Sequence, residues 1–262
     1  MMKTSSNRAA RFFMAGAIGL ALLSPTAAKA AEAPTPARPS LKEFDSDVTR
    51  CRREMRAYCA IAQELMAARE PVPEKQGTAV KHLKEAQSQW AAIRAKYQDN
   101  PPMEYARDGK FKVRLMEIAE AMDDMAAHLE AGPARRSFQA CGFGCGLFVS
   151  MHEENGLTYA LDKVFHLRKA LKAAVAVNKS VGLDGVKSVL PDLMMQRNRA
   201  LMAPCPCPDD AQRCQEYQAA LKVVSSRLDD LAVAVNRNDA ETATRILDGV
   251  LESCNKAYGL AL

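Results

Sequence analysis

Residues 108–131, DGKFKVRLMEIAEAMDDMAAHLEA, separate apolar side chains from charged ones with the period of a helix. The apolar stripe follows spacings of three and four residues and consists of Leu115, Ile118, Met122, Met125 and Leu129. No stretch of the sequence alternates polar and apolar residues for long enough to indicate a sheet. The segment therefore predicts an all-α fold.

Proline and glycine clusters divide the rest of the chain into segments of helical length. They predict eight helices, at about residues 44–70, 76–98, 108–131, 134–152, 157–178, 184–203, 209–237 and 239–259. Pro191 is expected to break the sixth of them.

The two halves of the chain share a plan. Met122-Asp123-Asp124-Met125-Ala126 recurs in type as Leu228-Asp229-Asp230-Leu231-Ala232, and each half ends on a helix that carries cysteine. Short loops favour antiparallel neighbours. We therefore expect two tandem up-down-up-down four-helix bundles, over residues 44–154 and 155–262; one irregular eight-helix domain is the alternative.

The first thirty residues have the pattern of an export signal. Basic residues precede an apolar run over 12–23, and Ala28-Lys29-Ala30 predicts cleavage after Ala30. That run is too short for a comfortable membrane span. The pattern is typical of bacteria, so we expect a periplasmic protein with a proline-rich tether over 31–43.

The net charge carries little information once the signal is removed. The whole chain has 36 Lys and Arg against 31 Asp and Glu, and four of the basic residues, Lys3, Arg8, Arg11 and Lys29, lie in the signal. The remainder is 36 − 4 = 32 against 31, or +1. This balance argues against nucleic acid as a partner, and no later apolar run predicts membrane insertion. A protein partner and the oligomeric state stay open.

Cysteine is the informative residue type, because all eight cysteines follow the signal: Cys51, Cys59, Cys141, Cys145, Cys205, Cys207, Cys214 and Cys254. In an oxidising compartment an even number of cysteines favours disulfides. Two disulfides in each half would fix the helix ends, and the proline-rich loop around Cys205 and Cys207 favours this interpretation for the second half.

Helix register suggests a second interpretation for the first half. The first and fourth helices of an up-down bundle are antiparallel neighbours, which brings Cys51 towards His152 and Cys59 towards Cys141 and Cys145. These soft ligands would suit Cu(I) or Zn(II). The candidate metal ligands are Cys51, Met55, Cys59, Cys141, Cys145 and His152, with Met151 beside them.

Other charged positions are expected to be ordinary helix surface. Arg50, Arg52, Arg53 and Arg56 form a charged face on the first helix that predicts solvated side chains. The remaining histidines have no clustered partners and are assigned to helix surfaces: His82, His128 and His166.

The closing helix pairs resemble the cytochrome c-prime superfamily. The resemblance rests on Leu129–Gly132 leading into Ala140–Gly146, and on Leu251–Gly259. It implies a haem-binding four-helix bundle, in which Cys-x-x-Cys-His attaches the haem. Here the spacing is Cys-x-x-x-Cys, with Gly146 in the position of the histidine, and Ala257 and Tyr258 replace the second cysteine and the histidine in the second half.

Covalent haem is therefore not expected. The haem-b relatives of that superfamily use a methionine from the first helix and a histidine from the last, and the resemblance implies Met55 and His152 for these parts.

Common enzyme motifs are missing, including Gly-rich phosphate loops, Gly-x-Ser-x-Gly, His-Glu-x-x-His and Cys-x-x-Cys. We therefore expect an exported, non-enzymatic helical-bundle protein in metal or redox handling. The alternatives are a noncovalent haem-binding electron carrier and a disulfide-stapled structural or interaction module without a ligand.

Overall fold

The computed structural model describes residues 37–68, 72–131 and 134–262. These residues form eight α-helices and a short 3-10 turn, and they contain no strand, so the all-α prediction is confirmed. The helices are α1 (Leu41–Ala67), α2 (Pro73–Tyr97), α3 (Phe111–Ala131), α4 (Ala134–Glu154), α5 (Ala160–Val181), α6 (Leu183–Met202), α7 (Ala211–Asn236) and α8 (Ala240–Leu260). The predicted export signal lies outside the described residues.

The helix ends lie within about three residues of the predicted ones, but the predicted tether and the predicted break in the sixth helix are wrong. Helix α1 begins at Leu41, inside the predicted tether, because the Ser40 side chain caps it by accepting a hydrogen bond from the Glu43 amide. Helix α6 continues through Pro191 instead of breaking there. Pro191 is exposed, so the carbonyl that loses its partner faces water, while Val186 and Leu193 anchor the helix in the core on either side.

The helices surround two apolar cores. One core draws its side chains from α1 to α4, with Trp90, Phe148 and the stripe of α3 among them. The other draws its side chains from α5 to α8. In each set the consecutive helices pack together, and the first helix also contacts the fourth. The division into two domains at residue 154 stays a prediction.

Helix α1 packs against α4, and α5 packs against α8 in the same way. These four helices carry the residues of the candidate site. The turn from α4 to α5 passes through Gly156, whose φ of 73° is in the left-handed region that glycine accepts without strain. None of the described helices combines the length and the apolar character that a membrane span requires.

Candidate functional site

A cavity of about 420 Å³ lies among α1, α4, α5 and α8. Residues from both halves of the chain line it, so neither half forms it alone. The polar, aromatic and sulfur-bearing side chains around it include Arg52, Met55, Arg56 and Cys59 from α1, Phe138, Cys141 and Cys145 from α4, Phe165, Arg168 and Lys172 from α5, and Asn255 and Tyr258 from α8.

Three cysteines share this cavity. Cys59 and Cys141 form a disulfide that joins α1 to α4, with a distance of 5.9 Å between their Cα atoms. Cys145 lies one helical turn beyond Cys141 as a free, partly exposed thiol. The prediction that Cys59 approaches the cysteines of the fourth helix is therefore confirmed for Cys141, and Cys145 lines the same cavity.

Gly144 lets α4 pack closely enough to hold these cysteines against α1. A Cβ atom at this position would lie 2.9 Å from the Cε atom of Met125 and 3.3 Å from that of Met55. The missing side chain therefore gives space to methionines of α3 and α1. Close packing therefore requires glycine at position 144, whereas an added Cβ at Gly142 would meet nothing within 4 Å.

The cavity is positively charged. Its cationic residues are Arg52, Arg56, Arg168 and Lys172, and none of its lining residues is acidic. The guanidinium groups of Arg56 and Arg168 each lie 5.3 Å from the centre of the Tyr258 ring. Arg168 also donates a hydrogen bond to the Asn255 side chain at 2.5 Å. These contacts hold the two guanidinium groups at the cavity wall.

Lys172 is the fourth cation of the wall. Its Nζ atom lies 5.2 Å from the centre of the Phe138 ring, which is another part of the cavity wall and belongs to α4. Burial lowers the pKa of this ammonium group, and the positive charge of Arg168 lowers it further. A negative ligand beside Lys172 would oppose the repulsion from Arg168 and favour the charged form.

The expectation that Arg52 is solvated is wrong, because its side chain is only 6% exposed. Its Nη1 atom lies 3.8 Å from Oδ1 of Asp162, a completely buried carboxylate on α5. Its guanidinium also lies over the Phe148 ring, at 4.9 Å. Burial alone would lower the pKa of this guanidinium, but Tyr258 and Asp162 raise it, so Arg52 has polar partners on both α8 and α5.

His152 belongs to a separate polar cluster beside the cavity. Its Nδ1 atom lies 2.7 Å from Oδ2 of Asp162, and its ring packs 4.4 Å from that of Tyr159. Tyr159 in turn donates a hydrogen bond to Asp45 at 2.7 Å. Burial raises the pKa of the Asp45 carboxyl, although the hydrogen bond from Tyr159 and the nearby His152 act in the opposite direction.

The predicted metal ligands are distributed over different environments. The Cys51 thiol donates to the carbonyl oxygen of Ala86 at 3.4 Å, and burial raises its pKa to about 12, so it remains a protonated thiol. His152 binds Asp162 instead. Within the described ranges, no group of three or more His, Cys, Asp or Glu side chains is placed to hold a metal ion. The Cu(I) or Zn(II) site stays a prediction.

The implied haem ligands are not brought to one cavity. Met55 lines the cavity described above, whereas His152 does not line it and is hydrogen-bonded to Asp162.

Met151, predicted beside the metal ligands, is completely buried in the core of α1 to α4.

The second half contains one disulfide, between Cys205 and Cys214, whose Cα atoms are 5.8 Å apart. Cys207 and Cys254 are free thiols, so each half has one disulfide rather than the two that the structural interpretation required. Cys254 is completely buried, and burial raises its pKa to about 12. None of these four cysteines lines the cavity that contains Cys59, Cys141 and Cys145.

Sequence reasoning missed the contribution of the second half to the site. Phe165, Arg168 and Lys172 follow one another at spacings of three and four, so they share one face of α5. An aromatic residue and two cations on one face were the available signal. The buried partner of Arg52, Asp162, left no comparable signal, because the two residues are far apart in the chain.

No known protein family, curated protein or solved structure matches this chain.

Proposed function

We propose that this is an exported helical-bundle protein that handles redox state through thiol–disulfide exchange, without acting as an enzyme. The observation that carries the proposal is the meeting of the Cys59–Cys141 disulfide and the Cys145 thiol in one cavity lined by cations. The basic and apolar pattern of residues 1–30 supports export to the periplasm, where disulfides persist.

The exchange needs no added oxidant. The thiolate of Cys145 attacks the sulfur of Cys59, the Cys59–Cys141 bond breaks, and a Cys59–Cys145 bond forms. Cys141 leaves as a thiolate and takes a proton from water, which replaces the proton that Cys145 released. The number of disulfides is unchanged, so the reaction moves the cross-link by one helical turn along α4.

The favourable geometry comes from the position of the two cysteines of α4. Cys141 and Cys145 are separated by one helical turn, and both line the cavity that Cys59 reaches from α1. The buried thiol of Cys51 is bonded to the α2 backbone and does not line this cavity. Cys145 is therefore the thiol that we assign to the exchange.

The proposal is tested by removing the native partner. In a Cys141→Ala variant, mild oxidation is expected to produce a Cys59–Cys145 disulfide, which mass spectrometry of peptides from the alkylated, unreduced protein detects. In the otherwise native chain, chymotryptic cleavage after Phe143 separates Cys141 from Cys145 and so reports which of them is bonded.

Cys254→Ala is the matched control, because it removes a buried thiol that lies outside the cavity. Its cross-link should remain Cys59–Cys141. If the Cys141→Ala protein keeps its helical circular dichroism but Cys59 and Cys145 both stay free after oxidation, the proposed exchange is wrong.

A further inference from the structure

The cavity carries positive charge that an exchange confined to the protein does not require. Arg56, Arg168 and Lys172 are held there by aromatic rings and a hydrogen bond, and Arg52 adds a fourth, buried cation that contacts Asp162 and Tyr258. No acidic side chain lines the cavity to neutralise them, since Asp162 contacts Arg52 from outside it. Such an arrangement favours an anionic occupant.

We propose that the cavity binds a small disulfide that carries carboxylate groups and joins it to Cys145 as a mixed disulfide, an inference that rests on the proposed redox function. The guanidinium groups of Arg56 and Arg168 present paired N–H donors, which match the two oxygens of a carboxylate. The side chains of Phe138 and Phe165 supply the apolar part of the wall. The volume of about 420 Å³ suits a ligand of peptide size.

The covalent step conserves atoms and electrons. The Cys145 thiolate attacks one sulfur of the ligand, R–S–S–R, and the sulfur–sulfur bond of the ligand breaks. One half of the ligand stays as Cys145–S–S–R, and the other half leaves as R–S⁻, which is protonated by water. One disulfide is consumed and one is formed. The cations act by binding the carboxylates of the ligand beside the reacting sulfur.

The test compares three disulfides of different charge on the oxidised, mature protein: glutathione disulfide, which is anionic, 2-hydroxyethyl disulfide, which is neutral, and cystamine, which is cationic. Cys207 is the other free thiol that is not buried, so the measurements use a Cys207→Ser background. Mass spectrometry follows the rate at which the mixed disulfide forms at Cys145. Each rate is divided by the rate for the same protein unfolded in urea, which removes the intrinsic reactivity of each disulfide.

The normalised rate with glutathione disulfide is expected to exceed that with 2-hydroxyethyl disulfide by about tenfold or more, and cystamine should be slowest. Added salt should reduce the preference by screening. Replacing two cations, Arg56→Gln and Lys172→Gln, should slow the anionic disulfide more than the neutral one. Lys84→Gln, which removes an exposed charge on α2 outside the cavity, should leave all three rates unchanged.

The outcomes separate the two proposals. Equal normalised rates with all three disulfides, unaffected by salt, overturn the selection of an anionic ligand and leave the exchange among the cysteines intact. Failure of Cys145 to react with any of them in the folded protein overturns the binding of a disulfide ligand, whereas the exchange within the protein is decided separately by oxidation of the Cys141→Ala variant. The salt series requires no substitution other than Cys207→Ser, so a cation variant that fails to fold does not remove the test.

Discussion

At the scale of single residues, burial and charge separate carboxyl groups that look alike in the sequence. Asp162 is completely buried and contacts Arg52 and His152, whereas Asp45 is partly buried and accepts a hydrogen bond from Tyr159. Removing Asp162 would leave a guanidinium buried without its partner, which is costly. Asp45 provides a test of burial, because ionisation of its carboxyl group lowers the stability of the folded protein.

The substitution Asp45→Asn should make the protein more stable at neutral pH. Burial raises the pKa of Asp45, so the ionised carboxylate costs stability at pH values above its pKa in the folded protein. That cost disappears as the pH falls below the pKa of the unfolded chain. Asparagine has no charge and keeps an oxygen that can accept the hydrogen bond from Tyr159. The variant should therefore melt at a higher temperature near pH 7, and the difference should shrink towards pH 4.

Asp239→Asn is the control with the opposite sign. Asp239 caps α8, and the amide and side chain of Thr242 lower its pKa, so its negative charge favours folding near neutral pH. Loss of this charge should lower the melting temperature near pH 7 and have less effect in acid. A melting-temperature difference for Asp45→Asn that is constant across the pH range would contradict the interpretation of its burial.

At the scale of the elements, most of the helices follow from local patterns, and the connection between α5 and α6 depends on a single residue. Gly182 ends α5 and begins α6 with φ 79° and ψ −155°, a region that only glycine populates readily. Its amide donates to the Asn178 carbonyl, and its carbonyl accepts from the Val186 amide. The first hydrogen bond closes α5 and the second opens α6, so one residue carries both helix ends.

Gly182→Ala should therefore lower the free energy of unfolding by about 1–3 kcal/mol, measured by urea denaturation. Gly77→Ala is the matched control, since Gly77 lies within α2 and an added Cβ would meet nothing within 4 Å. There the same change should stabilise the protein by up to about 1 kcal/mol, because alanine favours the helix. Equal changes in the free energy of unfolding at the two positions would contradict the prediction that alanine strains the backbone at position 182.

The sequence predicts elements better than it predicts the site because elements depend on neighbours along the chain. The stripe from Leu115 to Leu129 and the breaks at proline and glycine determine the helices within a few residues. The helix break predicted at Pro191 is wrong, because the effect of a proline depends on its exposure and on the packing of its neighbours, here Val186 and Leu193. The solvent exposure predicted for Arg52 is wrong for the same reason, because its partner Asp162 comes from α5 and reaches it only through the packing of α5 against α1.

At the scale of the whole molecule, the two disulfides close loops of very different length. Cys59 and Cys141 are 82 residues apart, whereas Cys205 and Cys214 are 9 apart. Since a longer loop restricts the unfolded chain more, loss of the first should cost about 4–5 kcal/mol and loss of the second about 2–3 kcal/mol. The double variants Cys59→Ser/Cys141→Ser and Cys205→Ser/Cys214→Ser, compared by urea denaturation, measure these costs.

The order of the two costs is the decisive result. A larger loss for the Cys205–Cys214 pair would show that local packing around that loop, rather than restriction of the unfolded chain, dominates the effect. Reduction of the otherwise native chain with dithiothreitol breaks both disulfides without substitutions, and its destabilisation should approach the sum of the two costs.

The cavity is the part of the molecule that sequence reasoning could not assemble. Register along α1 and α4 was enough to bring Cys59 to Cys141, because these helices belong to one predicted set. The cations of α5 and the Tyr258 ring of α8 meet those cysteines only through the packing of the two sets. No spacing in the sequence specifies that packing.

The composition of the cavity wall has a consequence for how such a protein can evolve. A gene segment that ends at the Gly156 turn encodes all three cysteines of the cavity, together with Arg52 and Arg56. The segment that follows encodes Arg168, Lys172 and the Tyr258 ring, so the three cysteines and half of the cations of the cavity come from different segments of the chain. Under the proposed binding of an anionic disulfide, substitutions in the second segment are expected to change ligand preference while the cysteines remain unchanged.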